Sequence, residues 1–130
     1  MSPILLLWLA FADHGYGPVD PVPMPPIHVT RHDGQRIPLA EALGPGRAAV
    51  QFIFTNCRAT CPLLGQLFSR VDRLANPSSG RLVSITVDPN HDTPEKLAAW
   101  RQQFHASGRW LALRPDPADL PALLKAFGQT

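Results

Sequence analysis

The sequence predicts an α/β fold in which parallel strands are covered by helices. Short runs rich in apolar, β-branched and aromatic residues alternate along the chain with segments whose apolar residues recur at helical spacing. The candidate strand at residues 48–55 is apolar along nearly its whole length, as expected for a strand covered on both faces. A chain of 130 residues fits one such domain, which we place at residues 27–130.

The domain begins with a predicted β-hairpin. Two short strand-like runs within residues 27–37 are separated by Asp33 and Gly34, a pair that supplies the positive φ angles of a tight turn. The apolar strand that follows leads to Pro62, and proline disfavours helix at the residue before it. The next helix is therefore expected to start near Pro62, which leaves residues 57–60 in a loop.

Three helices are predicted from here on. Strands at residues 82–87 and 111–113 precede the second and third helices. Thr93 is a suitable N-cap for the second helix, with Pro94 at its first position, and Gly128 ends the third. The predicted buried faces of the three helices consist of Leu64, Leu67, Phe68, Val71 and Leu74, of Leu97, Trp100 and Phe104, and of Leu120, Leu123, Leu124 and Phe127.

The amino terminus is predicted to be a targeting segment followed by a spacer. Residues 1–12 contain an uncharged apolar run that is too short to span a bilayer but suits a signal sequence. The run ends at Ala10-Phe11-Ala12, the small-x-small form of a cleavage site. Because no Lys or Arg precedes it, a segment packed on the domain is the alternative. Residues 13–26 are rich in proline and form an extended, semi-rigid linker.

The two cysteines are the strongest indication of function. Cys57 and Cys61 lie between a predicted strand and a predicted helix, where the helix start favours the thiolate form. Two neighbouring thiolates can close a disulfide or bind a soft metal. A disulfide across so small a loop removes little entropy from the unfolded chain, so a purely structural role is disfavoured. A structural zinc site would need four ligands, and this motif offers two.

Two motifs resemble those of the SCO/SenC family of copper-binding, thioredoxin-like proteins. They are FIFTNCRATCP at residues 52–62 and VSITVDPNHDTPE at residues 83–95, and the resemblance covers about residues 27–128. It implies a thioredoxin-like sandwich. It also implies a metallochaperone that binds copper as Cu(I), with Cu(II) as a further state, through Cys57 and Cys61. The implied partner is the copper-site subunit of a respiratory cytochrome oxidase or another copper or thiol protein.

The third copper ligand of the family does not carry over. The resemblance implies a histidine in a segment beyond Gly128, and the sequence ends at Thr130. We therefore expect a domain that is truncated at its carboxyl end, lacks the closing β-hairpin and helix and has an uncovered sheet edge. His91 is the predicted replacement, because it follows a central strand at the end of the sheet that carries Cys57. The remaining histidines are interpreted as surface residues: His14, His28, His32 and His105.

The two aspartates of the second motif have structural and functional interpretations. Asp92 is predicted to cap the following helix, and Asp88 with Pro89 to shape the loop. The resemblance implies that these aspartates lie near the cysteines, where they tune the thiols or present a surface to a redox partner.

Two alternatives to a copper metallochaperone stay open. A thiol-disulfide oxidoreductase that keeps a partner's cysteines reduced would need only Cys57 and Cys61, as a redox pair. An inactive truncated paralogue is the other. The three-residue spacing of the cysteines is that of the copper family and favours copper. Catalysis beyond thiol exchange finds no support in the sequence, which has neither a glycine-rich phosphate loop nor a serine nucleophile elbow.

Charge and targeting limit the partners further. The net charge of +2 is spread without a basic stripe, which argues against nucleic-acid binding. A signal sequence would place the protein in the periplasm, or facing it from the inner membrane, where disulfides persist. Membrane association would then be possible only through residues 1–12.

Overall fold

The computed structural model describes residues 23–57, 61–76, 78 and 80–129, and of Cys61 only the backbone. The predicted signal-like segment at residues 1–12 and most of the linker at residues 13–26 lie outside the described residues. No helix in the described part of the chain is long and apolar enough to cross a membrane.

A five-stranded mixed sheet forms the centre of the domain and confirms the predicted α/β class. The strands are β1 (His28–Arg31), β2 (Arg36–Pro38), β3 (Ala48–Ile53), β4 (Arg81–Thr86) and β5 (Trp110–Pro115). Their order in the sheet is β2-β1-β5-β4-β3. The last three strands in sequence are parallel, whereas β1 is antiparallel to both of its neighbours. The parallel strands therefore end together on one side of the sheet.

Helices cover both faces of this sheet. They are α1 (Leu39–Leu43), α2 (Cys61–Leu74), α3 (Pro94–Gln103) and α4 (Leu120–Ala126), the last preceded by a 3₁₀ turn at Pro117–Asp119. Buried side chains of α2 and α3 pack on one face, and those of α1 and α4 on the other. Within residues 80–129, which are described throughout, α4 is the final element and no hairpin follows it.

Local signals in the sequence account for two of the connections. The β1–β2 hairpin turns at Gly34, whose φ of 87° is open to glycine without strain, whereas Asp33 does not have the positive φ that the sequence predicted. Thr93 caps α3, because its hydroxyl oxygen accepts a hydrogen bond of 3.2 Å from the Lys96 amide. Pro94 occupies the first turn of the helix, as predicted.

Trp110 is the centre of the core between the sheet and helices α2 and α3. It is fully buried, and its ring lies edge-on to Phe68 at 5.8 Å and to Trp100 at 5.5 Å. Its indole N–H donates a 2.9 Å hydrogen bond to the Ser84 hydroxyl, which removes the cost of burying that donor. The predicted buried stripe of α3, including Phe104, is confirmed.

The predicted buried face of α2 is partly wrong. Leu67 and Leu74 are 55% and 77% exposed, and Val71 is at the limit of exposure. The face that meets the core contains Phe68, as predicted, together with Gly65. Gly65 allows the ring of Phe104 to approach the backbone of α2 closely, so the leucines turn outward. Together with Leu63 they form an exposed apolar stripe along the helix: Leu63, Leu67, Val71 and Leu74.

The prediction that the 48–55 strand is covered on both faces is also only partly correct. Among the described residues β3 pairs with β4 alone, so it lies at an edge of the sheet. Ala49 is exposed, whereas Gln51 and Ile53 are buried. Apolar composition alone did not distinguish a partly covered edge strand from a central one.

His32 is not the solvated surface residue that the sequence suggested. It follows β1, where its backbone N–H donates to the Ala112 carbonyl at 2.9 Å and its Nδ1 accepts from the Ala112 amide at 3.3 Å. Burial, with the nearby Arg101 charge as a second cause, lowers the pKa of His32 from 6.5 to about 4. The ring is therefore neutral at physiological pH, with Nδ1 as an acceptor.

Replacing Gly65 with alanine should destabilise the fold. A Cβ at this position would lie 2.4 Å from Cζ of Phe104, whose ring is held between Trp100 and Trp110. The clash should outweigh the helix-propensity gain of about 1 kcal/mol and leave a net loss of roughly 1–3 kcal/mol. Urea unfolding measures the loss. Gly108→Ala, whose Cβ would meet nothing within 4 Å, is the control; equal stabilities for the two variants would contradict the packing described.

The free energy of unfolding should decrease as the pH is lowered from 6.5 to 4, because of His32. Its pKa is about 4 in the folded protein and 6.5 as the unperturbed value, so in this window the unfolded chain binds the proton first. With allowance for solvent screening, we expect a loss on the order of 1–2 kcal/mol.

Unfolding free energies at pH 7 and pH 5 test this, with His32→Gln expected to abolish the difference. The exposed His28 on β1, changed to Gln, is the control. Asp33, Asp72 and Asp116 have pKa values held below 3.8 by hydrogen bonds and act only below this window. An unchanged pH dependence in His32→Gln would show that the proton is taken up elsewhere.

Candidate metal and thiol site

Cys57 lies in a tight turn at the carboxyl end of β3. The turn closes where the Cys57 amide donates a hydrogen bond of 3.0 Å to the carbonyl oxygen of Phe54. The Cys57 side chain is half-buried and packs against the core between the sheet and helices α2 and α3. Cys61 is the first residue of α2, one position earlier than the predicted helix start at Pro62. The predicted loop position of Cys57 is confirmed, whereas residues 58–60 lie outside the described part.

A buried carboxylate holds this turn. Asp92, only 1% exposed, accepts hydrogen bonds from the Thr55 amide at 3.0 Å and from the Thr55 hydroxyl at 2.5 Å. The Thr86 hydroxyl, at the end of β4, donates a third hydrogen bond of 2.5 Å to the same carboxylate. The turn that carries Cys57 is therefore fixed to the end of the neighbouring strand.

Asp92 does not cap α3, as the sequence had suggested. The N-cap is Thr93, and the Asp92 side chain points instead to Thr55 and Thr86. The reason is burial: a carboxylate inside the domain requires donors, and the strand ends supply three of them. Asp88 does shape the loop, because its carbonyl oxygen accepts from the amides of His91 at 3.1 Å and Asp92 at 2.9 Å.

His91 lies in this second loop, beside Asp88. Its Nδ1 is 3.1 Å from an oxygen of the Asp88 carboxylate, and its side chain is 71% exposed. The loop is anchored from the opposite side by Arg114, whose Nε donates to the Pro89 carbonyl at 2.8 Å. The sequence thus correctly placed His91 at the same end of the sheet as Cys57.

The remaining histidines of the described part do not join this group. His28 is exposed on β1, and His32 is engaged with the backbone of β5. His105 follows α3 at the opposite end of the sheet, near the start of β5. There it borders a surface cleft of about 420 Å³ that contains no residue of the cysteine site and is lined by Gln66, Ser69, Arg70, Arg73, Gln103, Phe104 and His105.

Among the described residues, which exclude the Cys61 side chain, no three His, Cys, Asp or Glu side chains are arranged to hold a metal ion. The assignment of Cys57, Cys61 and His91 as ligands therefore stays a prediction.

Sequence reasoning missed Thr55 and Thr86. Thr86 is the last residue of β4 and Thr55 lies two positions after β3, and that pattern was available in the sequence. A threonine that follows an apolar strand and precedes a cysteine by two positions can direct both its amide and its hydroxyl to one acceptor. The acceptor lies 37 residues away, so only the fold reveals it.

Comparison with known proteins gives consistent results. The SCO1/SenC family profile matches residues 24–130. Over 105 residues the chain is 26% identical to the mitochondrial Protein SCO1 homolog 1 of Arabidopsis thaliana, a match that covers 78% of this chain and 30% of that protein. The solved structure of a SCO1/SenC family lipoprotein from Bacillus anthracis is 25% identical, with a TM-score of 0.72, and the match covers 82% of this chain and 65% of that chain.

A second solved structure, Bradyrhizobium japonicum ScoI with copper bound, is 21% identical, with a TM-score of 0.70, and the match covers 81% of this chain and 66% of that chain. At that identity the likeness concerns the fold alone, and it confirms the predicted thioredoxin-like architecture. The chain spans just under two thirds of these solved chains and less than a third of the plant protein. Since the family profile covers the whole described domain, the chain belongs to the SCO1/SenC family.

Proposed function

We propose that this protein is a copper metallochaperone that binds Cu(I) through Cys57 and Cys61. Members of the SCO1/SenC family are copper-binding proteins in cytochrome oxidase assembly. The observation that carries the proposal is the fixed turn that holds Cys57 at the carboxyl end of β3, four positions before Cys61, the first residue of α2. Copper(I) prefers soft thiolate ligands and accepts a low coordination number.

The loop after β4 offers a third ligand. The Asp88 carboxylate lies beside Nδ1 of His91, and in that arrangement an N–H at Nδ1 leaves the lone pair on Nε2. A carboxylate that orients a histidine from behind is a common support for metal ligands in proteins. The exposed position of His91 also leaves the imidazole accessible to an incoming ion or to a partner protein.

The partner and the compartment follow from the same proposal. The recipient would be the copper-site subunit of a respiratory cytochrome oxidase or another copper or thiol protein. The protein would act after export, in the periplasm or facing it from the inner membrane, with residues 1–12 as the signal-like segment. Transfer requires ligands that can be released, and a site at a sheet edge with an exposed histidine suits that requirement.

Thiol-disulfide exchange is the second candidate function. It is favoured by the position of Cys57 in a half-buried turn just before α2, since a reactive cysteine combines access with an electropositive helix start. This function needs no histidine ligand. The two candidates therefore differ in what they require of His91.

The reduced protein should bind one Cu(I), and Cys57→Ser or Cys61→Ser should abolish binding, because a hydroxyl is a poor ligand for a soft cation. Titration of Cu(I) against a competing chelator measures the affinity. The control is Ser78→Ala, an exposed hydroxyl in another loop. Undiminished copper retention by the double serine variant would reject Cys57 and Cys61 as the ligands.

His91→Ala should weaken Cu(I) binding by about 10-fold or more, whereas His28→Ala and His105→Ala should not. The comparison separates ligand loss from a general effect of removing an exposed histidine. Disulfide reduction by the same His91→Ala variant should be nearly unchanged, because thiol exchange does not use the imidazole. Equal Cu(I) affinities in all three variants would leave a site formed by the two thiolates without His91.

A further inference from the structure

The Asp92 carboxylate connects the two loops that carry the proposed ligands. Its Oδ2 accepts from the Thr55 amide and from the Thr86 hydroxyl, and its Oδ1 accepts from the Thr55 hydroxyl. Thr55 is the second residue of the four-residue turn that ends at Cys57. On the other side, Asp92 is joined directly to His91 along the chain.

Burial of the Asp92 carboxylate costs folding free energy unless each of these hydrogen bonds is made. A buried carboxylate loses its hydration and requires compensation from donors in the protein. All three donors here are neutral, two hydroxyls and one amide, and two of them belong to Thr55. Thr86 extends the network, since its hydroxyl oxygen also accepts from the Asp88 amide at 3.0 Å. Displacement of the cysteine turn would therefore leave a buried charge without two of its donors.

We infer that Asp92 is a positioning residue that holds the Cys57 turn in register with the His91 loop through the amide and hydroxyl of Thr55. The inference rests on the proposed function for its effect on copper, but the mechanical link does not depend on it. Asp92 acts on the cysteine turn through Thr55. It sets the separation between the two loops, and so it pre-organises the ligands that approach from β3 and from β4.

A second buried carboxylate provides a matched control at the opposite end of the sheet. Asp72 accepts from the amide and the hydroxyl of Ser107 at 2.7 and 2.6 Å and from Arg109 Nε at 3.1 Å. Like the Asp92 side chain, the Asp72 side chain is buried, and it links α2 to the loop that contains Ser107. Its removal should destabilise the fold without any contact to the cysteine turn, although it breaks an ion pair with Arg109 in addition to contacts with neutral donors.

Two substitutions at Asp92 distinguish the positioning role of its hydrogen bonds from the effect of its charge. In Asp92→Asn the amide oxygen can accept from the Thr55 N–H and the Thr86 hydroxyl, and the NH₂ group can donate to the Thr55 hydroxyl oxygen. All three contacts can therefore persist without the charge. In Asp92→Ala they are lost. Thr55→Val, which removes only the hydroxyl contact, replaces Asp92→Ala if that variant does not fold.

The experiment measures amide hydrogen exchange at Thr55 and Cys57 in the metal-free reduced protein, and Cu(I) affinity by chelator competition, for each variant and for Asp72→Ala. We expect Asp92→Ala to speed exchange at both amides beyond its effect on global stability, and to weaken Cu(I) binding by about 10-fold. Asp92→Asn should restore most of both properties. Asp72→Ala should change neither the amide exchange rates nor the Cu(I) affinity beyond the effect of its loss of global stability.

Exchange and affinity in Asp92→Ala that match those of Asp72→Ala would overturn the inference. So would an Asp92→Asn variant as impaired as Asp92→Ala, because charge rather than position would then be responsible. If the unaltered protein binds no Cu(I), the proposed function fails, and the exchange rates at Thr55 and Cys57 still decide whether Asp92 holds the turn.

Discussion

The in-register parallel pairing of β3 with β4 is the constraint on which the site depends. Ile53 lies opposite Thr86, so the two strands end at the same level, and the Val87 amide continues the ladder with a 2.8 Å hydrogen bond to Ile53. A slip of one residue would turn Thr86 to the other face of the sheet and remove a donor from Asp92. The loops that carry Cys57 and His91 therefore depend on strand register for their separation.

Packing against Trp110 fixes the other boundary of the site, the start of α2. Phe68 of α2 and Trp100 of α3 both meet this indole, and Gly65 lets α2 approach the ring of Phe104. The axis of α2 is thus set by aromatic contacts in its middle, whereas its first residue is Cys61. Core and site are mechanically connected, because a shift of the helix on these rings would move Cys61 relative to the turn at Cys57.

Local chemistry in the sequence predicted much of this arrangement. The Asp-Gly turn, the Thr93 cap with Pro94 and the alternation of strands and helices have local causes, and they were predicted correctly. Tertiary contacts decided the rest. Leu67 follows helical spacing as well as Phe68 does, and only the close approach at Gly65 determines which of them is buried.

The same limit applies to the site. The ends of β3 and β4 were expected to converge, because parallel strands share a carboxyl edge. The role of Asp92 was not predicted, since a residue between a proline loop and a helix cap has a simple local interpretation. Its actual partners are Thr86, at the end of β4, and Thr55, which lies 37 positions away in the turn after β3. The Asp92 side chain points to these donors because it is buried. The sequence does not predict burial for a single polar residue.

The exposed apolar stripe on α2 affects how unfolding of this protein can be observed. Leu63 and Leu74 are 66% and 77% exposed, so the native surface already offers an apolar strip of the kind that binds fluorescent hydrophobic dyes. Dye fluorescence would then start high in the folded state, and its rise on heating would be compressed. Trp100 and Trp110, both buried against the opposite side of the helix layer, give intrinsic emission that reports loss of packing without this background.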